Sequence, residues 1–153
     1  MKNKVLLRRF FIIFSKGGKE MQSISEIVVK PEDIDHLGHV NYMKYLYYLE
    51  EGIGKWYRQA GVSMEELDQK KLGTVVIKFD LSYLKEARLG DTLKVMTTLT
   101  HVGNKSFVLK QDIFNQNDVH LTECMKTFVM FDTTTRKSTS VIDEIAHHFK
   151  SVG

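Results

Sequence analysis

An apolar stripe of helical period over residues 41–60 narrows the possible folds more than any other feature of the chain. Tyr42, Tyr45, Leu46, Leu49, Ile53, Trp56 and Ala60 recur at three- and four-residue steps, so one face of a continuous helix is apolar and has to be covered. Asn41 is suited to cap its first turn, because its side-chain oxygen can accept an orphan backbone N–H, and Gly61 is suited to end it. A helix over 41–60 is roughly 30 Å long, about the width of a small domain. It therefore crosses whatever fold contains it. Gly52 and Gly54 inside it each cost roughly 1 kcal/mol against alanine, which signals close backbone approach to a sheet or a second subunit.

After the helix the period changes. Ser63 and Glu66 form a capping box over a short helix at 64–69, and Gly73 punctuates the way into strands. From Thr74 onward Val75, Ile77, Phe79, Leu81 and Tyr83 alternate with Lys78, Asp80 and Ser82, a two-residue period that places the first set on one face of a strand. Gly90-Asp91 turns the chain, Leu93, Val95, Thr97 and Leu99 repeat the alternation, and Val102-Gly103-Asn104 turns it again. Phe107, Leu109 and Ile113 share a face of the next strand, residues 115–118 make a third turn, and 119–131 is the last long strand. Upstream, 24–30 with Ile27-Val28-Val29 is a first strand ended by Pro31. A polar run at 132–140 leads to Asp143, a cap for a closing helix through Phe149. One long helix and hairpin-linked strands make an α+β domain with an antiparallel sheet packed on that helix. There is no internal repeat and no linker.

At 153 residues the chain is one domain by length, able to bury roughly 70% of its unfolded surface without staples. Cys124 is the single cysteine, so no intrachain disulfide can form, and with no secretion signal a reducing cytoplasm is the expected location. The net charge of +3 is unevenly spread: six of the 22 basic residues and one of the 19 acidic ones lie in residues 1–20. Residues 21–153 thus carry 16 basic against 18 acidic side chains, or −2. The basic pI belongs to the extension, and a nucleic-acid surface on the domain is not expected. In residues 1–20 Arg8-Arg9 splits two short apolar runs, too short to span a membrane and lacking a clean cleavage site. The extension is expected to lie outside a domain that starts at Met21. A basic, aromatic membrane-surface segment is the alternative.

The chemistry concentrates just before the long helix. Asp33-Ile34-Asp35-His36-Leu37-Gly38-His39-Val40-Asn41 is an acidic turn delivered onto a helix start, where unpaired N–H donors and the dipole favour negative charge. A carboxylate there is either a turn residue answering the helix or a catalytic group. Asp33 is expected to be structural. His36 and His39 have a His-x-x-His spacing but no matched third ligand, and no metal is expected. Glu50 beside the apolar stripe is expected to be semi-buried and paired. Cys124 reads as a buried small hydrophobe and His147-His148 as diverging surface residues. No Gly-x-Ser-x-Gly elbow, phosphate loop or Cys-x-x-Cys is present, which removes support for serine hydrolase, NTPase and zinc-finger functions.

This turn, followed by Tyr45 and Glu50, resembles the signature of hotdog-fold thioesterases of the 4-hydroxybenzoyl-CoA thioesterase class. The order of elements over about residues 23–131 is similar as well, with Tyr83-Leu84, Gly90-Asp91 and Gly103-x-Lys105-Ser106-Phe107 as supporting cues. The resemblance implies an antiparallel sheet wrapped around one long helix, and hydrolysis of an acyl-CoA thioester without a cofactor. It also implies active sites formed between subunits of a homodimer or homotetramer. It assigns catalysis to Asp35 and to the backbone N–H of Tyr42, with His39 nearby, and substrate binding to Gly38, Asn41, Lys105 and Ser106. Three alternatives remain: carrier-protein thioesters as substrate, a non-catalytic acyl-CoA-binding module, and a dehydratase pairing His36 or His39 with Asp35.

Overall fold

The computed structural model describes residues 21–149; the extension 1–20 lies outside them. Within these residues six strands form one antiparallel sheet: β1 (Gln22–Val28), β2 (Leu72–Tyr83), β3 (Thr92–Val102), β4 (Ser106–Phe114), β5 (His120–Asp132) and the two-residue β6 (Lys137–Ser138). Their order is β1-β3-β4-β5-β2, with β6 on the end of β5. The helices are α1 (Lys44–Ala60), α2 (Met64–Gln69) and α3 (Asp143–Ala146), and a 3-10 turn covers Pro31–Asp33.

Most of the apolar stripe of α1 is buried against the sheet in two clusters, one for each half of the helix; Leu46 and Tyr42 are exposed instead, and Tyr48 and Tyr57 join the buried face. Tyr45, Tyr48 and Leu49 pack with Val40, Ala87, Leu93, Val95, Ile113, Leu121 and Cys124. Ile53, Trp56, Tyr57 and Ala60 pack with Leu99, Phe107, Leu109, Phe128, Met130 and Ile145. Each fully buried large side chain contributes about 1.5–3 kcal/mol, so this face holds the helix to the sheet. Gly52 lies between the clusters, where an added Cβ would sit 2.7 Å from Val95 Cγ1 and 2.9 Å from Gln111 Nε2. There the backbone of α1 touches the sheet, and buried Gln111 donates to the Leu49 carbonyl (2.8 Å) and to Thr97 Oγ1 (2.9 Å). Gly54 makes no such approach; its nearest neighbour is the flexible end of Arg58.

Several elements depart from their expected limits. Asn41 does not cap α1, whose cap position is Met43 with no side-chain cap bond. Asn41 instead closes a turn ahead of the helix. Its Oδ1 accepts the Met43 N–H (3.0 Å) and its carbonyl accepts the Lys44 N–H (2.9 Å), because an Asn side chain readily reaches the N–H two residues on. β1 begins two residues earlier than expected, paired with β3 from Gln22↔Thr98 to Val28↔Thr92. In β2 a bulge between Val76 and Lys78 shifts the register. Val76, opposite core residue Phe128, therefore shares the helix-side face with Phe79 and Leu81, whereas Val75 and Ile77 do not continue it. Asp143 is the first residue of α3 rather than its cap. His147 and His148 do not diverge: their rings lie 3.8 Å apart, and His148 Nε2 is 2.9 Å from the Ala60 carbonyl oxygen. Two expectations hold closely. Ser63 Oγ accepts the Glu66 N–H at 3.2 Å, and α1 ends at Gly61.

Candidate active site

The turn that carries Asp35 is a miniature hairpin. Ile34 bridges Val40, the Asp35 N–H donates to the His39 carbonyl (3.0 Å), and the Gly38 N–H donates to the Asp35 carbonyl (3.1 Å). Gly38 takes φ +83° with open space where a Cβ would stand, so backbone conformation rather than crowding calls for glycine. The hairpin is tied to the body at both ends. Val40 N–H donates to the Ala87 carbonyl (3.0 Å), and Asn41 N–H donates to the Asp33 carbonyl (2.9 Å).

Asp33 is buried and fully engaged. Its Oδ2 accepts the Tyr48 hydroxyl (2.7 Å) and the Lys30 N–H (3.1 Å), and Lys44 Nζ lies 3.9 Å from Oδ1. Burial, together with this carboxylate partner, pushes the Tyr48 hydroxyl far above its ordinary range. Asp33 is thus a structural brace between turn and helix, as expected. Asp35 differs. Its Oδ1 accepts only the local Leu37 N–H (2.9 Å), and its side chain, 16% exposed, lines a cavity of about 630 Å³.

Tyr42, Tyr45 and Tyr83 line the same cavity, with Leu37, Val40 and Leu84 completing its apolar wall. The N–H of Tyr42 makes no backbone hydrogen bond among the described residues, while its carbonyl accepts the Tyr83 hydroxyl at 2.7 Å. The peptide just ahead of α1, whose cap is Met43, is therefore held on one side and left with a free donor on the other. Tyr45 and Tyr83 meet edge to face at 5.2 Å. The Tyr45 hydroxyl accepts the Ala87 N–H at 3.0 Å and is raised above its usual range, mainly by burial.

His39 stands beside Asp35, its Nε2 3.9 Å from Asp35 Oδ1. Its Nδ1 is 2.9 Å from Glu86 Oε2, and the other oxygen of Glu86 accepts from Arg88 Nε (2.9 Å) and Nη2 (2.6 Å). The His39 hydrogen bond and Arg88 hold the Glu86 carboxyl below the ordinary range. Glu86 and Lys85 also line the cavity. Sequence reasoning did not find them, since nothing local in Lys85-Glu86-Ala87-Arg88 marks a site. The one available signal was proximity to Tyr83-Leu84.

Other candidates lie elsewhere in the chain. Gly38 and Asn41 shape the turn and are not among the cavity-lining residues. Lys105 and Ser106 sit at the β3–β4 turn beside Met130, at the opposite end of the sheet from Ala87 and Leu121. Glu50 pairs with Lys126 (3.0 Å) as expected, but its side chain is exposed while Lys126 is buried. Cys124 is buried in the core, and burial pushes its thiol up to about 11. No helix among the described residues is long and apolar enough to cross a membrane.

A curled antiparallel sheet on one long helix, with a carboxylate turn at the helix start, is the hotdog arrangement, and the chain belongs to the thioesterase-like superfamily, whose model matches residues 29–149. It is 29% identical over 119 residues to the acyl-CoA thioester hydrolase YbgC of Escherichia coli O6:H1, a match covering 78% of this chain and 89% of that one. To the long-chain acyl-CoA thioesterase FadM of Escherichia coli it is 27% identical over 123 residues, covering 79% and 92%. Among solved structures, the PA2801 protein of Pseudomonas aeruginosa superposes with a TM-score of 0.73 at 28% identity, covering 81% of this chain and 95% of that one.

Proposed function

We propose that this protein hydrolyses acyl-CoA thioesters to the free acid and CoA. The observation that carries this reading is the shared cavity. It holds a carboxylate with a single local N–H partner, Asp35, and a backbone donor without a backbone partner, Tyr42, two residues ahead of a 17-residue helix. A thioester oxygen gathers negative charge as its carbon is attacked, and one such donor is typically worth about 10²–10³ in rate. The Asp35 carboxylate either attacks the carbon directly or takes a proton from the attacking water, a role typically worth about 10²–10⁴. His39 borders the same reacting space. Similarity to YbgC and FadM favours CoA over a carrier protein as the thiol carrier.

The active protein is a homodimer or higher assembly, with β2 as the joining edge. β2 is an end strand of 12 residues, and Val75, Val76, Ile77, Phe79 and Tyr83 are exposed along it, an edge that invites a second strand. Two-fold antiparallel pairing of β2 would bring the β3–β4 turn of one subunit to the Asp35 end of the other. Lys105 and Ser106 of the partner subunit would then meet the CoA phosphates, a role neither has within one chain. A reducing cytoplasm remains the proposed location, in keeping with the lone Cys124.

Free-thiol release from a panel of aromatic and graded-length acyl-CoAs tests the function. Turnover of at least one identifies the acyl class. Tight, unhydrolysed acyl-CoA complexes across the panel would instead make this a binding module.

A further inference from the structure

The cavity wall carries a second acidic side chain, Glu86, which is 44% exposed and hydrogen-bonded on both of its oxygens. Ala87 is fully buried and pinned twice, its N–H to the Tyr45 hydroxyl and its carbonyl to the Val40 N–H, both at 3.0 Å. Glu86 and His39 are the chain neighbours of these two pinned residues, so the loop after β2 and the Asp35 hairpin bring them face to face. The two oxygens of Glu86 are divided between partners, Oε1 to Arg88 and Oε2 to His39 Nδ1. An ionised carboxylate can only accept, so Nδ1 must carry a proton. Nε2 is then the ring nitrogen turned to Asp35, 3.9 Å from its Oδ1.

We propose that Glu86 is a positioning residue of this active site: anchored by Arg88, it fixes the ring and tautomer of His39 so that Nε2 serves proton transfer beside Asp35. The proposal rests on the hydrolase reading and adds a residue to it. During hydrolysis water gives its oxygen to the acid. One of its protons ends on the CoA sulfur as the C–S bond breaks, and the other leaves with the ionising acid. On the general-base route Asp35 takes the first of these protons from the attacking water and passes it to Nε2, which delivers it to the departing thiolate and returns to the neutral ring. Glu86 gives up no proton; it holds the ring in line and balances the charge of the transient imidazolium.

Glu86→Ala, Glu86→Gln, His39→Ala and the double variant His39→Ala/Glu86→Ala test this by steady-state kinetics on an acyl-CoA that the wild type turns over, with ¹⁵N NMR of the imidazole. Glu86→Ala is expected to lower kcat about tenfold with KM within about threefold, a fraction of what a proton-transfer group supplies. Glu86→Gln, which retains an acceptor oxygen, should recover part of the loss. In the His39→Ala background the Glu86 substitution should cost nothing more, because it acts through the ring. The ring should rest as the Nδ1–H tautomer in the wild type and lose that preference in Glu86→Ala. A wild-type kcat in Glu86→Ala, an equal loss in the His39→Ala background, or an unchanged tautomer would overturn the proposal. The tautomer is read without turnover, so a protein that shows the tautomer change yet hydrolyses no acyl-CoA would remove the hydrolase reading and keep the Glu86–His39 pair.

Discussion

Asp33 and Asp35 stand two residues apart, and their surroundings give them opposite uses. Asp33 spends its Oδ2 on Tyr48 and Lys30 inside the fold, so its removal would loosen the joint between turn and helix. Asp35 keeps one local partner and faces open volume, which leaves its carboxylate available for chemistry. Cys124 shows burial acting on another acidic group. Its folded pKa is raised from 9.0 to about 11 by burial, so the thiol stays protonated and unreactive at pH 8. Alkylation should be negligible until the chain unfolds, as mass spectrometry of native and urea-treated protein will show. The linkage has a definite sign. A raised folded pKa contributes stability that is complete below pH 9 and lost as pH climbs toward 11. The melting temperature should therefore fall across that window, with a smaller fall in Cys124→Ala. The buried hydroxyls of Tyr45 and Tyr57, also raised, add to the fall in both proteins.

The elements fit through one narrow contact, the backbone of α1 at Gly52. Alanine there gains helix propensity of about 1 kcal/mol, but its Cβ would sit 2.7 Å from Val95 Cγ1, and overpacking of this kind costs about 1–3 kcal/mol. Gly52→Ala should therefore be net destabilising in urea titrations. Gly54→Ala, which meets only the Arg58 side chain at 3.3 Å, should gain up to about 1 kcal/mol. The two glycines look alike in the sequence, where both signal close approach, and only the sheet beneath them tells them apart. Much else at this scale was legible. The three- and four-residue stripe marked α1 and most of its buried face, missing on Tyr42 and Leu46, which are exposed, and Ser63 with Glu66 marked α2. What escaped were features set by partners far along the chain. The β2 bulge appears only in its pairing with β5, and it puts Val76 rather than Val75 on the inner face. The late start of α1 follows from Asn41 bonding Met43 and Lys44 in a turn of its own. At the site, the resemblance carried by residues 33–41 pointed to Asp35 and the Tyr42 peptide, and both residues border one cavity in the folded chain. Glu86 could not be inferred, because the loop after β2 meets that stretch only in the folded chain.

For the whole molecule, the exposed apolar edge of β2 and the placement of Lys105 at the far end of the sheet belong to one question. If two copies join along β2, both are accounted for. Ile77 is 62% exposed within one chain, so a charge there should spare the fold of the subunit and prevent the pairing. Ile77→Lys is expected to sediment as a monomer at an unchanged far-UV spectrum and to lose thioesterase activity with the second subunit. A dimeric, active Ile77→Lys would move the joining surface elsewhere. The central claim, that Asp35 performs thioester hydrolysis in this fold, is tested most directly by comparing the wild type with Asp35→Asn. Asparagine keeps the turn preferences of aspartate and removes only the charge. Thiol release from the best acyl-CoA should fall by about 10²–10⁴ in a variant that melts as the wild type does. Undiminished release by a folded Asp35→Asn would contradict it.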